Sequence, residues 1–218
     1  MTRAFAKVGE RAPNLEIAGW AQGKPTNIDE LKGNVVLVKV FQVNCPGCFS
    51  HGFPQAIGIY NRYKDRGGVV IGLATAFEDY DKNTFANLQL LMGRGEVIGA
   101  TLERLTFFQK MLSERGQVID GTAEGMGHYN FIKDGNRLGY RIPFPVAMDV
   151  VEQGKARHEV MERYNVEIND WIEGRTFSRY MLRGTPSSIL IDKRGVLRHT
   201  SLGSDDGLEA KVKSLLSE

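Results

Sequence analysis

From Asn34 to Phe41 the chain reads Asn-Val-Val-Leu-Val-Lys-Val-Phe, a continuous run of β-branched and apolar residues of strand length. A run of this kind, without polar alternation, is the pattern of a central strand covered on both faces. It leads directly into Cys45-Pro46-Gly47-Cys48. From Cys45 to about Lys64 the spacing of Ile57, Tyr60 and Tyr63 predicts a helix, with Pro54 bending its early turns. Gly67-Gly68 breaks that helix, and Val69–Ala74 predicts the next buried strand. Strand, tight turn, helix and strand make a right-handed βαβ crossover with Cys45 at a helix N-terminus. The core is therefore α/β.

Around this unit the chain is less regular. Asn14–Ile17 and the turn residues Gln22-Gly23-Lys24-Pro25 predict a short opening hairpin. Roughly Glu78 to Arg141 breaks the alternation and reads as an insertion with two helical segments. One carries Phe85, Leu88 and Leu91 on a stripe, the other Ile98, Leu102, Leu105, Phe108 and Leu112, most of them expected to be core. The core pattern resumes at Ile142–Asp149, and a second helical stretch follows, to about Tyr180. Ser187–Ile191 and Val196–Ser201 then form a hairpin around Asp192-Lys193-Arg194-Gly195, and Leu208–Leu216 has the period of a closing helix. We expect one domain over residues 1–218, with insertions at approximately 78–141 and 153–180. Gly121, Gly125 and Gly127 lack the context of a phosphate loop and read as a flexible loop.

Length and composition fit this reading. With 218 residues, 42% of them apolar, the chain can bury a sizeable core. The 28 Lys and Arg nearly balance the 26 Asp and Glu, without a long run of one sign, so neither nucleic acid nor an anionic membrane is expected as a partner. The start, Met1 to Val8, reaches a charge before any apolar stretch of signal-peptide length, and no segment approaches a membrane span. The expectation is a cytosolic protein.

The cysteines carry the chemistry. There are two, separated by two residues, so they cannot staple distant parts of a fold, and in a reducing compartment such a pair points to redox work or half of a metal site. The spacing lets the second thiol reach the first across one helical turn, so the pair can cycle between dithiol and disulfide without refolding. Unpaired amides and the positive end of the helix dipole favour a thiolate on Cys45, the attacking sulfur. Cys48, one turn inside, is placed to resolve the mixed disulfide that Cys45 forms. The plainer readings are small core residues, or half of a zinc site that draws two further ligands from His51, His128, His158 or His199. Covalent haem attachment fails because Phe49 stands where a histidine is required. No cofactor is called for. His51, one turn beyond Cys48, is either near the dithiol or simply exposed.

Several stretches, in order, resemble the thioredoxin superfamily, and within it the TlpA-like and alkyl-hydroperoxide-reductase/thiol-specific-antioxidant (redoxin) branch. Gly9–Pro13 resembles the G-x-x-A-P opening, Ile28–Gly33 the segment before the central strand, and Val35–Cys48 the strand leading into Cys-x-x-Cys. Gly184-Thr185-Pro186, Ile189–Asp192 and Gly195 resemble the cis-proline loop and terminal hairpin. The two insertions fall outside the resemblance. It implies a thioredoxin-like fold, a central mixed sheet flanked by helices, here with an N-terminal strand extension. It also implies a cis bond before Pro186, packed beside the dithiol, with the Thr185 backbone free to pair with an extended substrate.

Three positions depart from the family pattern. Lys39, six residues before Cys45, stands where thioredoxins resemble one another in carrying a buried acid. A charged Lys39 would stabilise a nearby thiolate, a desolvated neutral amine would accept the Cys48 proton, and a lysine snorkelling to the sheet edge would do neither. Asn44 replaces the aromatic residue before the first cysteine. Gln42 occupies the place where peroxidases of this superfamily put a hydroxyl, three residues before the peroxidatic cysteine.

The reading that follows is a thiol–disulfide oxidoreductase acting on protein or small-molecule disulfides and re-reduced by a dithiol donor. Its alternatives are a thiol peroxidase with antioxidant activity and a non-enzymatic module holding a soft metal ion. The stripes of the insertions are available to cap the sheet, to wall the active site or to form a homodimer contact.

Overall fold

The computed structural model describes residues 5–114, 132–133, 135–153 and 172–218. Strand β2 (Val35–Phe41) is buried along its whole length, as its unbroken apolar run predicts. It pairs in parallel with β3 (Gly68–Ala74) and antiparallel with β9 (Ser187–Ile191), which turns back through Gly195 into β10 (Leu197–Leu202). On the other side β3 pairs in parallel with β6 (Val146–Asp149), and β6 antiparallel with β1 (Ile17–Gln22). Among the described residues these make a mixed six-stranded sheet in the order β1-β6-β3-β2-β9-β10.

The two-residue period of β2 divides the core between the two sheet faces. Val35, Leu37 and Phe41 face a layer containing α1 (Phe53–Tyr63), α2 (Phe85–Arg94), α3 (Gly99–Glu114) and the closing helix α5 (Leu208–Ser217). Val36, Val38 and Val40 face Leu15, Phe177, Tyr180 and Leu182. Lys39 has the parity of the first group and so lies on the α1 face.

Two expectations are corrected. The opening hairpin is absent: Ile17–Gln22 is one strand whose partner is β6, far along the chain, and Gly23 with φ 81° turns the chain away after it. Asn27 then anchors the segment, donating to the Leu15 carbonyl and accepting from the Leu15 and Ile28 amides. The stretch to Tyr180 is not a helix at its described ends. It opens and closes as a two-stranded ladder of β7 (Val151–Gln153) and β8 (Ile172–Gly174), and then forms the short helix α4 (Arg175–Arg179); residues 154–171 lie outside the described residues. Asp149 sets this corner. Its buried carboxylate accepts from the Thr176 and Phe177 amides at 2.9 and 3.0 Å and from the Thr75 hydroxyl at 3.1 Å, so it caps the helix. The chain crosses so close above it that a Cβ on Gly174 would lie 2.2 Å from Asp149 Oδ2.

The first insertion carries both expected helices, together with a small hairpin, β4 (Ile132–Lys133) and β5 (Arg137–Leu138), which its sequence did not announce. Leu88, Leu91 and Leu105 are buried, and Phe85, Ile98 and Leu102 pack against the same core. The side chains of Phe108 and Leu112 and the glycines at 121, 125 and 127 lie outside the described residues. Among the described residues no helix is long and apolar enough to cross a membrane.

Candidate active site

The active-site helix starts at Pro46, with Cys45 immediately before its first turn. Proline at this position costs nothing, because the first amides of a helix have no partner inside it. Further in, Pro54 cannot donate to Ser50, and the helix answers by widening. Residues Cys48–Gly52 form a π turn in which the Phe53 amide donates to the Cys48 carbonyl, five residues back. The bend expected from Pro54 is this widened turn. It leaves the Phe49 carbonyl without a donor from the helix, and the Tyr140 hydroxyl supplies one at 2.6 Å.

Both thiols are unbridged. Cys45 is half-buried, and its sulfur accepts from the Cys48 amide at 3.3 Å and lies 3.5 Å from the Thr185 carbonyl. Its pKa is lowered to about 7. The Cys48 thiol hydrogen-bonded to it is the largest cause, and the Thr185 side chain and the amides of Cys48 and Gly47 add to it against the opposing effect of burial. Cys48 is 1% exposed, and burial, followed by the neighbouring Cys45, pushes its pKa well above the ordinary value. One turn of helix thus separates an accessible thiol of low pKa from an enclosed one of high pKa.

The loop before β9 closes the site. The Thr185–Pro186 peptide bond is cis. Pro186 is buried against the active-site helix, where Gly47 and Gly52 leave room for its ring. The space at Gly52 is tighter: a Cβ there would lie 2.8 Å from Pro186 Cβ and 3.2 Å from Lys39 Cε. Gly52 has an ordinary helical φ of −60°, so it is close approach and not backbone strain that calls for glycine.

Lys39 does not snorkel. It is 1% exposed, and its amine donates to Ser188 Oγ at 2.9 Å and Gln55 Oε1 at 3.3 Å. Ser188 is its cross-strand neighbour on β9, and Gln55 is fixed by donating to the Asp205 carbonyl at 2.8 Å. Burial lowers the Lys39 pKa to about 8, against the raising effect of Cys48 and then Asp205.

Asn44 and Gln42 are tied into the first insertion. Asn44 donates to Asp79 and accepts from Asn83 at 2.9 Å, while Asn83 also receives the Val43 amide at 2.9 Å. Gln42 is buried, with its amide nitrogen donating to the Glu78 carbonyl and Asn44 and its Oε1 without a partner among the described residues. His51 is exposed and bonded to Ser50, away from both sulfurs' hydrogen bonds. A cleft of about 480 Å³ beside the dithiol is lined by Pro46, Gly47, Ser50, His51 and, from α3, Arg104 and Phe107. A wider cavity of about 910 Å³, bounded by Tyr60, Tyr140 and Phe144, has no thiol in its lining. Among the described residues no three of His, Cys, Asp and Glu gather as a metal site.

Sequence reasoning missed Gly52, Gln55, Asn83, Tyr140 and Asp205. The proline at 54 was the one local sign that a carbonyl in the preceding turn would need an outside donor.

The Redoxin family model matches residues 7–216. The chain belongs to the Redoxin family. Protein DipZ of Mycobacterium bovis and of Mycobacterium tuberculosis are each 36% identical to this redoxin over 213 residues. The match takes in 95% of this chain but 21% of theirs, so the redoxin spans about a fifth of the length of these curated relatives. Among solved structures, a thiol-disulfide isomerase from Corynebacterium glutamicum is 28% identical with a TM-score of 0.60, covering 98% of this chain and 97% of that one. A thioredoxin-like superfamily protein is 26% identical, also with a TM-score of 0.60, covering 96% and 98%. The fold is thioredoxin-like, as the resemblance of the sequence implies.

Proposed function

We propose that this redoxin is a thiol–disulfide oxidoreductase that reduces protein disulfides. The observation that carries the reading is the split between the two thiols of one helical turn, Cys45 with a pKa of about 7 and Cys48 well above the ordinary range. At neutral pH a large fraction of Cys45 is thiolate, the nucleophilic form, while Cys48 holds its proton until it is needed. The Cys45 thiolate attacks a substrate disulfide, forming a mixed disulfide and releasing one substrate thiolate. Cys48 loses its proton and attacks the Cys45 sulfur, which forms the Cys45–Cys48 disulfide and releases the second. Two electrons pass from the dithiol to the substrate, and an external dithiol returns them.

Thr185, beside the Cys45 sulfur and followed by the cis bond to Pro186, is the place for an extended substrate segment to lie. The isomerase from Corynebacterium glutamicum supports protein disulfides as the substrate class. Peroxide ranks below disulfide because Gln42 is committed to Glu78 and Asn44 and brings no hydroxyl to Cys45.

The split is open to direct measurement by alkylating the reduced protein with iodoacetamide over a range of pH and counting adducts by mass. Only the thiolate reacts, so reactivity rises with pH. One adduct is expected with a midpoint at about 7, and the second well above 9. Cys45→Ser removes the early adduct. Two thiols titrating together in the ordinary cysteine range would contradict the assignment.

A further inference from the structure

The chain carries a second concave site that the dithiol chemistry does not use. It is the cavity of about 910 Å³, a volume suited to a small molecule. Its walls come from the end of β1, from Tyr60 on α1, from the last turn of α2 and from the segment between Arg137 and Pro145. These walls are tied to one another. Gln22 Nε2 donates to the Ile142 and Phe144 carbonyls, each at 2.8 Å, and at Gly23 the chain passes so close that a Cβ would lie 2.8 Å from Pro145 Cα. The Leu138 amide donates to the Gly95 carbonyl at 2.7 Å and the Val97 amide to the Asn136 carbonyl at 2.9 Å, which fastens β5 to the end of α2. Tyr140 is held through its hydroxyl by the Phe49 carbonyl, and Phe144 lies edge-on to Tyr60 with ring centroids 5.8 Å apart. The cavity is therefore formed before anything enters it.

Its charge is one-sided. Arg94, Arg137 and Arg141 line it, and among the described residues no carboxylate does. Arg94 is accounted for by the fold, since it stands in the last turn of α2, where a cation is favourable, and lies 3.9 Å from Glu96. Arg137 and Arg141 are not accounted for in this way. Both are exposed, and neither makes an ion pair or a side-chain hydrogen bond among the described residues. Beside them the wall is apolar, with the half-buried rings of Tyr60 and Tyr140 and the half-buried thioether of Met92.

We propose that this cavity binds an organic anion with a flat apolar body, its carboxylate or phosphate held by Arg137 and Arg141 and its body laid against Tyr60, Met92 and Tyr140. A guanidinium meets a carboxylate or a phosphate through paired N–H donors, and aromatic side chains take a flat ring against their faces and edges. An uncharged ring would leave the two guanidinium groups unanswered. A bare inorganic anion would leave the apolar wall in water. No thiol lines the cavity, so the ligand is bound there and not reduced, and the inference stands or falls apart from the dithiol reading.

The test is isothermal titration calorimetry of the full chain with four probes: 2-naphthoate, 1-naphthyl phosphate, the uncharged 2-naphthylmethanol and inorganic phosphate. At least one of the two naphthyl anions is expected to bind once per chain, at least about tenfold tighter than the alcohol or inorganic phosphate, and the tighter of the two identifies the acid group. Arg137→Ala and Arg141→Ala are each expected to weaken that binding roughly tenfold. Both side chains are exposed, so the variants keep the fold, which circular dichroism checks. Arg11→Ala, beside Val196 at the β10 edge of the sheet and so far from β1, is expected to leave binding unchanged. The proposal is overturned if neither naphthyl anion binds saturably, or if the alcohol or inorganic phosphate binds as tightly. It is equally overturned if folded Arg137→Ala and Arg141→Ala bind like the wild type, or if Arg11→Ala weakens binding as much as they do.

Discussion

With Cys45 replaced by serine, reduction of a protein disulfide is expected to fall to the rate of the reagents alone, and with Cys48 replaced it is expected to stop one step later. A serine hydroxyl in place of the Cys45 sulfur keeps the size of the side chain but is not ionised at neutral pH, so no nucleophile remains. The Cys48 thiol cannot substitute for it, because it is buried and its pKa is well above the ordinary value. Cys48→Ser leaves the Cys45 thiolate able to attack but removes the sulfur that would release the substrate. The mixed disulfide then accumulates to about one per chain, visible as a covalent adduct that added dithiol reverses. Equal and partial losses from the two replacements would mean that the cysteines do not divide the work as their surroundings imply.

Gly52→Ala is the second large effect, and here two opposing contributions must be weighed. Alanine at an interior helical position gains about 1 kcal/mol over glycine. Against this, the new Cβ meets Pro186 Cβ at 2.8 Å, closer than real Cβ contacts come, and the neighbour that must yield is a ring locked into the backbone. Overpacking of this kind costs about 1–3 kcal/mol, which equals or exceeds that gain. The variant should lose up to about 2 kcal/mol in denaturant unfolding. The larger effect is on exchange. Pro186 carries Thr185, whose carbonyl lies 3.5 Å from the Cys45 sulfur, and displacement of a substrate-positioning group by about 1 Å can cost roughly 10² in rate. A stable variant with unchanged disulfide reduction would show that the Pro186 loop tolerates movement away from the helix.

The parts legible in the sequence are those set by local pattern. The unbroken run of β2 announced a strand covered on both faces, and Cys45 just after it, before a helix bent by Pro54, placed the dithiol. The hairpin of β9 and β10 declared itself through Asp192–Gly195, and the period of Leu208–Leu216 gave the closing helix. The misread parts depend on partners distant in the chain. Ile17–Gln22 has the composition of a strand whichever neighbour it takes, so nothing local distinguishes a hairpin from pairing with β6. The ladder of β7 and β8 is short and likewise closed by distant pairing.

For Lys39, strand parity assigns the face, but whether the amine escapes to solvent depends on what covers it. Gly52, Gln55 and Ser188 come from two other elements and hold it inside. Tyr140 reaches the Phe49 carbonyl from beyond α3, and Asn83 grips Val43 and Asn44 from the loop before α2. The first insertion therefore helps to hold the active site, a role that no motif within it signals.

The central claim, that the dithiol is built for disulfides, is tested most directly by stopped flow. The fully reduced protein is mixed in parallel with a protein disulfide and with hydrogen peroxide, and Cys45→Ser is the blank. Faster oxidation by the disulfide, absent from the blank, is the predicted result. Faster oxidation by peroxide would contradict it and make this redoxin a peroxidase.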